Sequence, residues 1–280
     1  MKTALGRFAL TLVLLAACGD PSAVVAQTGG RGSFATAPAQ QLQLPDQLRE
    51  ISGLAVSPDG RLFAHDDERA VIYELDAARG AIVKRFVLGN PILTGDFEGL
   101  AITPGGVFWL TTSEGEVYRF AEGADGAHAP YHTFDSGLDE LCEVEGLAYL
   151  PSEESLILAC KRNKARSMRG TVSLYLWPFS GEAEEWRSLP EQEIAATAGV
   201  AEFRPSSVEM DPASGHILLL SANDAAFAEL DAGGRLLSAR ALDRSHVQPE
   251  GVTVLPEGSL VISDEASGGR PLLTRYARVP

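Results

Sequence analysis

One pattern, written five times, restricts this chain more than any other feature. It reads EISGLAVSPDG from 50, DFEGLAITPGG from 96, EVEGLAYLPSE from 143, RPSSVEMDPAS from 204 and QPEGVTVLPEG from 248. The third residues of the copies are Ser52, Glu98, Glu145, Ser206 and Glu250, separated by 46, 47, 61 and 44 residues, and most of these intervals are the length of one four-stranded propeller blade. An apolar strand follows each Pro-containing turn, as in RLFAHDD from 61 or SLVISDE from 259. A third strand follows, such as VIYELD from 71, and then a weaker fourth such as AIVKRFVLG from 81, whose alternating polarity suits a half-exposed outer edge.

The fifth unit ends after three strands, and QLQLPDQL from 41 is placed to supply the fourth and close the ring. The expected fold is therefore an all-β propeller of five blades, closed by pairing of an N-terminal strand with the C-terminal blade. Six blades are possible if the 61-residue interval hides a degenerate one. The favoured alternative is an insertion made of the basic run KRNKARSMRG from 161 and the polar stretch EEWRSLPEQEIAATAGVAE. No stretch of ten or more residues has the period and caps of an amphipathic helix, which argues against a layered α/β fold.

The first 17 residues, MKTALGRFALTLVLLAA, combine Lys2 and Arg7 with an apolar run too short to span a bilayer, the form of a secretory signal. The run ends in Leu15, Ala16, Ala17, Cys18, which resembles a bacterial lipobox; an ordinary signal peptide with a chance Cys is the alternative. Lipid on Cys18 would hold the protein to a membrane surface, on an exported, envelope-bound chain. Residues 19–40 are rich in Gly, Ala, Ser and Pro, which suits a flexible tether. The expected organisation is a signal at 1–17, a lipidated Cys and tether at 18–40, and one propeller domain at 41–280.

With 23 Lys and Arg against 38 Asp and Glu, the chain carries a formal charge of −15, which disfavours nucleic acid as a partner. Three Cys and five His are too few for a zinc cluster, an iron–sulfur site or a disulfide scaffold, so any metal is expected to have oxygen ligands. Cys142 and Cys160 fall on the first two strands of the third blade. Counting from the PSEE turn places Cys160 nearer Glu145 than Cys142, which leaves their pairing open.

The motifs ISGLAVSPDG at 51, GDFEGLA at 95, EVEGLAYLP at 143, PEGV at 249 and ISDEA at 262 together resemble the SdiA-regulated, YjiK-like family of bacterial envelope β-propellers, from about residue 41 to the end. That resemblance implies an envelope propeller with calcium-related behaviour, more distantly similar to phytases, gluconolactonases and paraoxonases. The fourth repeat departs from the pattern, with Arg204, Pro205 and Ser206 in place of the acidic pair.

In a blade, the start of the innermost strand and the end of the second strand share one mouth of the disc. This gathers Glu50, Asp96, Glu98, Glu143, Glu145, Arg204 and Glu250 with Asp67, Lys161, Arg162, Asn223, Asp264 and Glu265. Side chains two apart on a strand point the same way, so Asp96 with Glu98 and Glu143 with Glu145 form same-face acid pairs. Converging carboxylates repel, and a hard cation relieves them, so a Ca²⁺ site is expected on Glu98, Glu145, Glu250, Asp96 and Glu143. Glu50, Asp67, Arg162, Arg204, Asn223 and Asp264 would line the ligand mouth around it. The basic run from 161 is either an anion clamp or a solvated loop. His65 beside Asp66 is a weak candidate for a general base.

Two functions follow. One is a monomeric, lipid-anchored, Ca²⁺-binding propeller that takes a small ligand or protein partner at its mouth. The alternative is a Ca²⁺-dependent hydrolase of a lactone, ester or phosphate ester, for which the sequence supplies no dedicated base with an orienting partner.

Overall fold

The computed structural model describes residues 33–279. The expected signal peptide, the lipidation site Cys18 and tether residues 19–32 lie outside the described residues.

Five antiparallel sheets stand around a central axis. Their innermost strands are Ile51–Val56, Phe97–Ile102, Cys142–Leu150, Ser207–Met210 and Pro249–Val254, each the start of one sequence repeat. Each inner strand lies beside the next, and the fifth returns to the first, so the ring is closed. Closure uses the expected donor. Strand Gln40–Gln43 pairs antiparallel with Leu272–Tyr276, with Gln41 opposite Thr274, and completes the last blade.

The strands come together because each blade buries both of its faces. Five apolar clusters fill the five gaps between neighbouring blades. Between blades one and two, Phe63 and Phe108 meet edge to face at 5.0 Å, and Phe86 packs beside them. Fully burying one such side chain contributes roughly 1.5–3 kcal/mol. Between blades two and three, Trp109 and Trp177 take the same role at 5.8 Å.

The glycine after each motif carboxylate sets how closely the inner strands approach. A Cβ on Gly99 would stand 2.6 Å from the Leu147 backbone nitrogen of the next blade; one on Gly146 would meet the Val208 nitrogen at 2.8 Å. Gly53 faces the Leu100 nitrogen in the same way, and a Cβ on Gly251 would lie 2.4 Å from the Ser52 carbonyl oxygen, across the seam between last and first blades. The fourth repeat has Ser207 here, and its hydroxyl accepts a hydrogen bond from the Val252 amide at 3.3 Å. One close contact thus passes around the whole ring.

Three features differ from the sequence reading. The domain begins earlier than residue 41. Phe34 is buried against Phe227, Arg278 lies over its ring, and the Ala35 amide donates to the Ala277 carbonyl, so residues 33–40 are part of the fold. The long third interval is not a loop insertion throughout. EEWRSLP forms the outer strand Glu184–Pro190 of blade three, and Glu191–Ala198 is an eight-residue helix whose Ile194 and Ala195 enter the core between blades three and four. Its amphipathic stripe is too short to register as a helical period. Blade one also gains a fifth strand, His128–Ala129, parallel to Ala81–Leu88 and donated by the segment before the last strand of blade two.

Substituting Gly99 by Ala is expected to lower the unfolding free energy by about 1–3 kcal/mol, because the next strand's backbone must shift. Gly105→Ala, where a Cβ meets nothing within 4 Å, serves as the control. Urea denaturation of both variants checks this, and equal midpoints would show that the inner strands part without cost.

Candidate functional site

The acids of the repeats meet at one mouth of the ring. Glu145, on the inner strand of blade three, is buried, and Lys161 on the neighbouring strand Ser155–Asn163 donates to it at 2.7 Å. Lys161 also stands 3.9 Å from Glu143, and Arg162, on the exposed side, lies 3.8 Å from the same carboxylate. Burial pulls the Lys161 ammonium down, but the charges of Glu145, Glu250 and Glu143 outweigh it and leave it above its ordinary value. An internal cation therefore stands beside three of the acids on which the calcium expectation rests.

Glu98 and Glu250 complete this inner group. Burial first, then the charges of Glu145, Asp96 and Glu250, push the Glu98 carboxyl well above the ordinary range. Burial and the Glu145 charge raise Glu250 to about 8. Glu145 is likewise raised, chiefly by burial, against the pull of Lys161. Asp96 accepts a hydrogen bond from Ser113 Oγ at 2.5 Å and sits at the rim.

A second group lies at the seam between the last and first blades. Glu50 and Asp67 of blade one and Glu265 of blade five each bring a carboxylate oxygen within 4.8 Å of the other two. The backbone holds them there: the Asp67 amide donates to the Glu50 carbonyl, the Glu265 amide to the Gln248 carbonyl, and the Ala266 amide to the Arg49 carbonyl. Asp67 Oδ1 is buried and has no hydrogen-bond partner among the described residues. Burial, then the charges of Glu50 and Asp66, raise Asp67 to about 6, and burial with Glu50 raises Glu265. Gln248 lies between the groups: its amide nitrogen donates to Glu265, and it is the second residue before Glu250 on the entry to blade five.

Other expected site residues serve the scaffold. His65 is fully buried. Its Nε2 accepts from the Gly53 amide at 2.8 Å, so Nδ1 carries the proton and donates to the Asp66 carbonyl at 3.1 Å. Burial lowers its pKa to about 4, and it offers no free nitrogen to a substrate. Asp66 is buried and receives the Arg69 amide at 2.9 Å and its guanidinium at 3.1 Å. Asp264 is not a mouth ligand. Its carboxylate accepts from His246 Nδ1 at 2.7 Å and from the Val247 amide at 3.1 Å, while Tyr276 Oη meets His246 Nε2 at 2.6 Å. A neutral imidazole satisfies both partners, and this Asp–His–Tyr chain ties the loop entering blade five to the strand that the N-terminus closes. Arg204 pairs with Glu202 at 2.9 Å, and Asn223 is exposed. Ser206, where three of the other four repeats place Glu, donates to the Pro249 carbonyl at 2.8 Å and stitches blade four to blade five.

Cys142 and Cys160 form a disulfide with Cα atoms 5.8 Å apart. Val144 is the residue directly opposite Cys160, and irregular pairing between Glu143 and Gly146 brings the diagonal partners together. Counting from the turn holds as far as Gly146 opposite Ala159; the irregularity beyond it, not legible in the sequence, moves the partner of Cys160 from Glu145 to Val144. Glu265 and Gln248 fall within the quoted motifs and are expected at the mouth, but their meeting with Glu50 and Asp67 depends on seam geometry that the motifs do not specify.

A family model described as SdiA-regulated matches residues 36–268. The chain belongs to the SdiA-regulated family. No curated protein matches the sequence. Among solved structures, it is similar to the Myxococcus xanthus glutaminyl cyclase, with a TM-score of 0.58 and 14% identity over 87% of this chain and 97% of that one. It is also similar to the PQQ-bound aldose sugar dehydrogenase of Streptomyces coelicolor, with a TM-score of 0.56 and 12% identity over 88% and 99% of the two chains. At these identities the likeness concerns the propeller fold of this SdiA-regulated protein and carries no activity to it.

Two outcomes test this geometry. Tyr276→Phe leaves His246 Nε2 buried without its donor and is expected to cost about 1–3 kcal/mol in denaturant unfolding. The second outcome concerns pH. Asp67 and Glu250 hold protons in the folded state that the unfolded chain releases near 3.8 and 4.5. In metal-free buffer, stability should therefore fall as pH rises from about 4.5 to about 8. Glu209, raised to about 7, acts with the same sign, whereas Glu122, lowered to about 2 chiefly by its Arg61 hydrogen bond, acts only below this window. Thermal melts in EDTA at pH 5.5 and 8 read the slope, and Glu250→Gln should flatten it.

Proposed function

We propose that this mouth is a divalent-cation site, that the protein binds Ca²⁺ there, and that the bound ion presents a ligand position at the axis. The observation that carries the reading is the seam trio: three carboxylates from two blades within 4.8 Å of one another, one with a buried oxygen lacking any partner among the described residues. The donor set is all oxygen, as a hard ion requires, and loops of separate blades allow the irregular coordination Ca²⁺ accepts. Glu50, Asp67 and Glu265 would hold the ion. When bound, the ion supplies neutralising charge and attraction for an anionic or carbonyl oxygen. Lys161 already neutralises Glu145, so the ion is assigned to the seam and not to the Glu98, Glu145 and Glu250 group.

Binding, in place of hydrolysis, is the favoured activity, because His65 has both nitrogens committed to backbone groups and His246, in the loop entering blade five, has both committed to Asp264 and Tyr276. A lipid-anchored envelope location completes the reading. It is supported by the signal and lipobox pattern ending at Cys18 and by the Cys142–Cys160 bridge, which suits an oxidising compartment.

Calorimetric titration of EDTA-treated protein with Ca²⁺ should give saturable heat that disappears in Asp67→Asn with Glu265→Gln, and Mg²⁺ should bind more weakly. No heat at millimolar Ca²⁺ in the unaltered protein would overturn the assignment.

A further inference from the structure

The opposite end of the ring has a different chemistry. Where the inner strands finish, a cavity of about 780 Å³ lies within a collar of the five repeat prolines, Pro58 to Pro256. Its wall is formed by residues such as Ala101, Ala148, Tyr149 and Met210, and it opens toward Trp186 on the outer strand of blade three. Such a volume accommodates a small organic ligand.

One acid breaks the apolar wall. Along the repeats, Ala55, Ala101 and Ala148 occupy one position, the fifth repeat has Thr253 there, and the fourth has Glu209. Glu209 Oε1 accepts from the Met210 amide at 2.7 Å and Oε2 from Thr253 Oγ1 at 2.8 Å. Each oxygen keeps a free acceptor site, and no Lys, Arg or His pairs with this carboxylate among the described residues. Of the other charges on the cavity, Asp211 is held by both terminal nitrogens of Arg278, at 2.9 and 2.6 Å. Arg187 makes no ion pair among the described residues but is turned onto the Trp186 ring and the carbonyls of Trp186 and Ala232, with its Nε unpartnered, and Glu153 is exposed at the rim. Burial lifts the Glu209 carboxyl to about 7, so its charge is costly where it stands and a cation beside it would lower that cost.

We infer that this cavity is a second binding site, distinct from the acidic mouth, for an apolar molecule bearing one ammonium group, with Glu209 receiving the ammonium and the alanine-lined wall receiving the apolar body. Charge complementarity selects this class. A neutral ligand leaves the carboxylate without a partner, and a carboxylate ligand adds a second negative charge.

Three probes of equal chain length distinguish the cases: n-octylamine, n-octanol and octanoate, titrated into the whole protein by calorimetry. Trp186 fluorescence reports on the site, because Trp109 and Trp177 are buried between blades two and three. Octylamine should bind saturably and at least about tenfold more tightly than octanol, with octanoate weaker still. Glu209→Gln, which preserves size and hydrogen-bonding capacity, should erase the advantage of the amine while octanol binding persists. Equal affinities for amine and alcohol, an advantage that survives Glu209→Gln, or no saturable binding of octylamine would each overturn the inference. The comparison of the three probes on the unaltered chain stands even if the variant fails to fold.

Discussion

The approach of backbone to backbone around the axis is the contact from which the rest of this molecule follows. Gly53, Gly99, Gly146 and Gly251 let each inner strand press against its neighbour with no side chain between them. The residue before each glycine is thereby brought toward the axis, and in three of five repeats that residue is Glu. Crowding of Glu98, Glu145 and Glu250 is thus a consequence of how the ring closes. Their raised pKa values record the same geometry in electrostatic terms. A wider ring, with side chains between the inner strands, would separate the charges and let water between them.

Repeat four shows what happens when the pattern is relaxed. Ser206 and Ser207 replace the Glu–Gly pair, and both hydroxyls bond to blade five, one to the Pro249 carbonyl and one to the Val252 amide. The blade exchanges an axial charge for two cross-blade hydrogen bonds. The acids that remain on the other blades gather around Lys161 on one side and at the seam on the other. The mouth is consequently asymmetric, with a neutralised half and an unneutralised half, although it is built from repeats that are nearly alike.

The blade count, the closing strand and the identity of the mouth were legible because they depend on spacing and strand polarity, which repeat units preserve. Individual roles were less so. Asp264 and Asp66 end equivalent second strands, yet Asp264 is enclosed by His246 and Tyr276 while Asp66 is held by Arg69. The difference comes from the loop entering each blade, where His246 has no counterpart at a fixed offset. Lys161 could be read as the end of a strand or as the start of a basic loop. The extra length of strand Ser155–Asn163 decides for the strand: Arg162 and Asn163 pair with Glu143 and Cys142, and Lys161 is the extra residue of a bulge between Arg162 and Cys160. Glu209 drew no attention because it stands at a position where most repeats have Ala, and its setting depends on a cavity that no local pattern announces.

The location of the seam trio has an energetic consequence. Glu50 and Asp67 belong to the first blade and Glu265 to the last, and those blades are held together by the pairing of Gln40–Gln43 with Leu272–Tyr276 and by packing around Leu44, Leu48 and Leu273. With no cation, the three carboxylates oppose that closure: they crowd one another, and Asp67 and Glu265 are raised above their ordinary pKa by burial and by neighbouring acids. The ion proposed for this site would attract both blades and turn the same acids into a clasp. Binding and closure are then linked: an ion that prefers the closed seam stabilises it by an amount that grows with the logarithm of its concentration above Kd. Any change that loosens the N-terminal strand must, by the same reciprocity, weaken the ion's hold. In a propeller whose first and last blades meet at one seam, crowded carboxylates and the break in covalent continuity coincide, and an ion bound there would act on the closure of the whole ring.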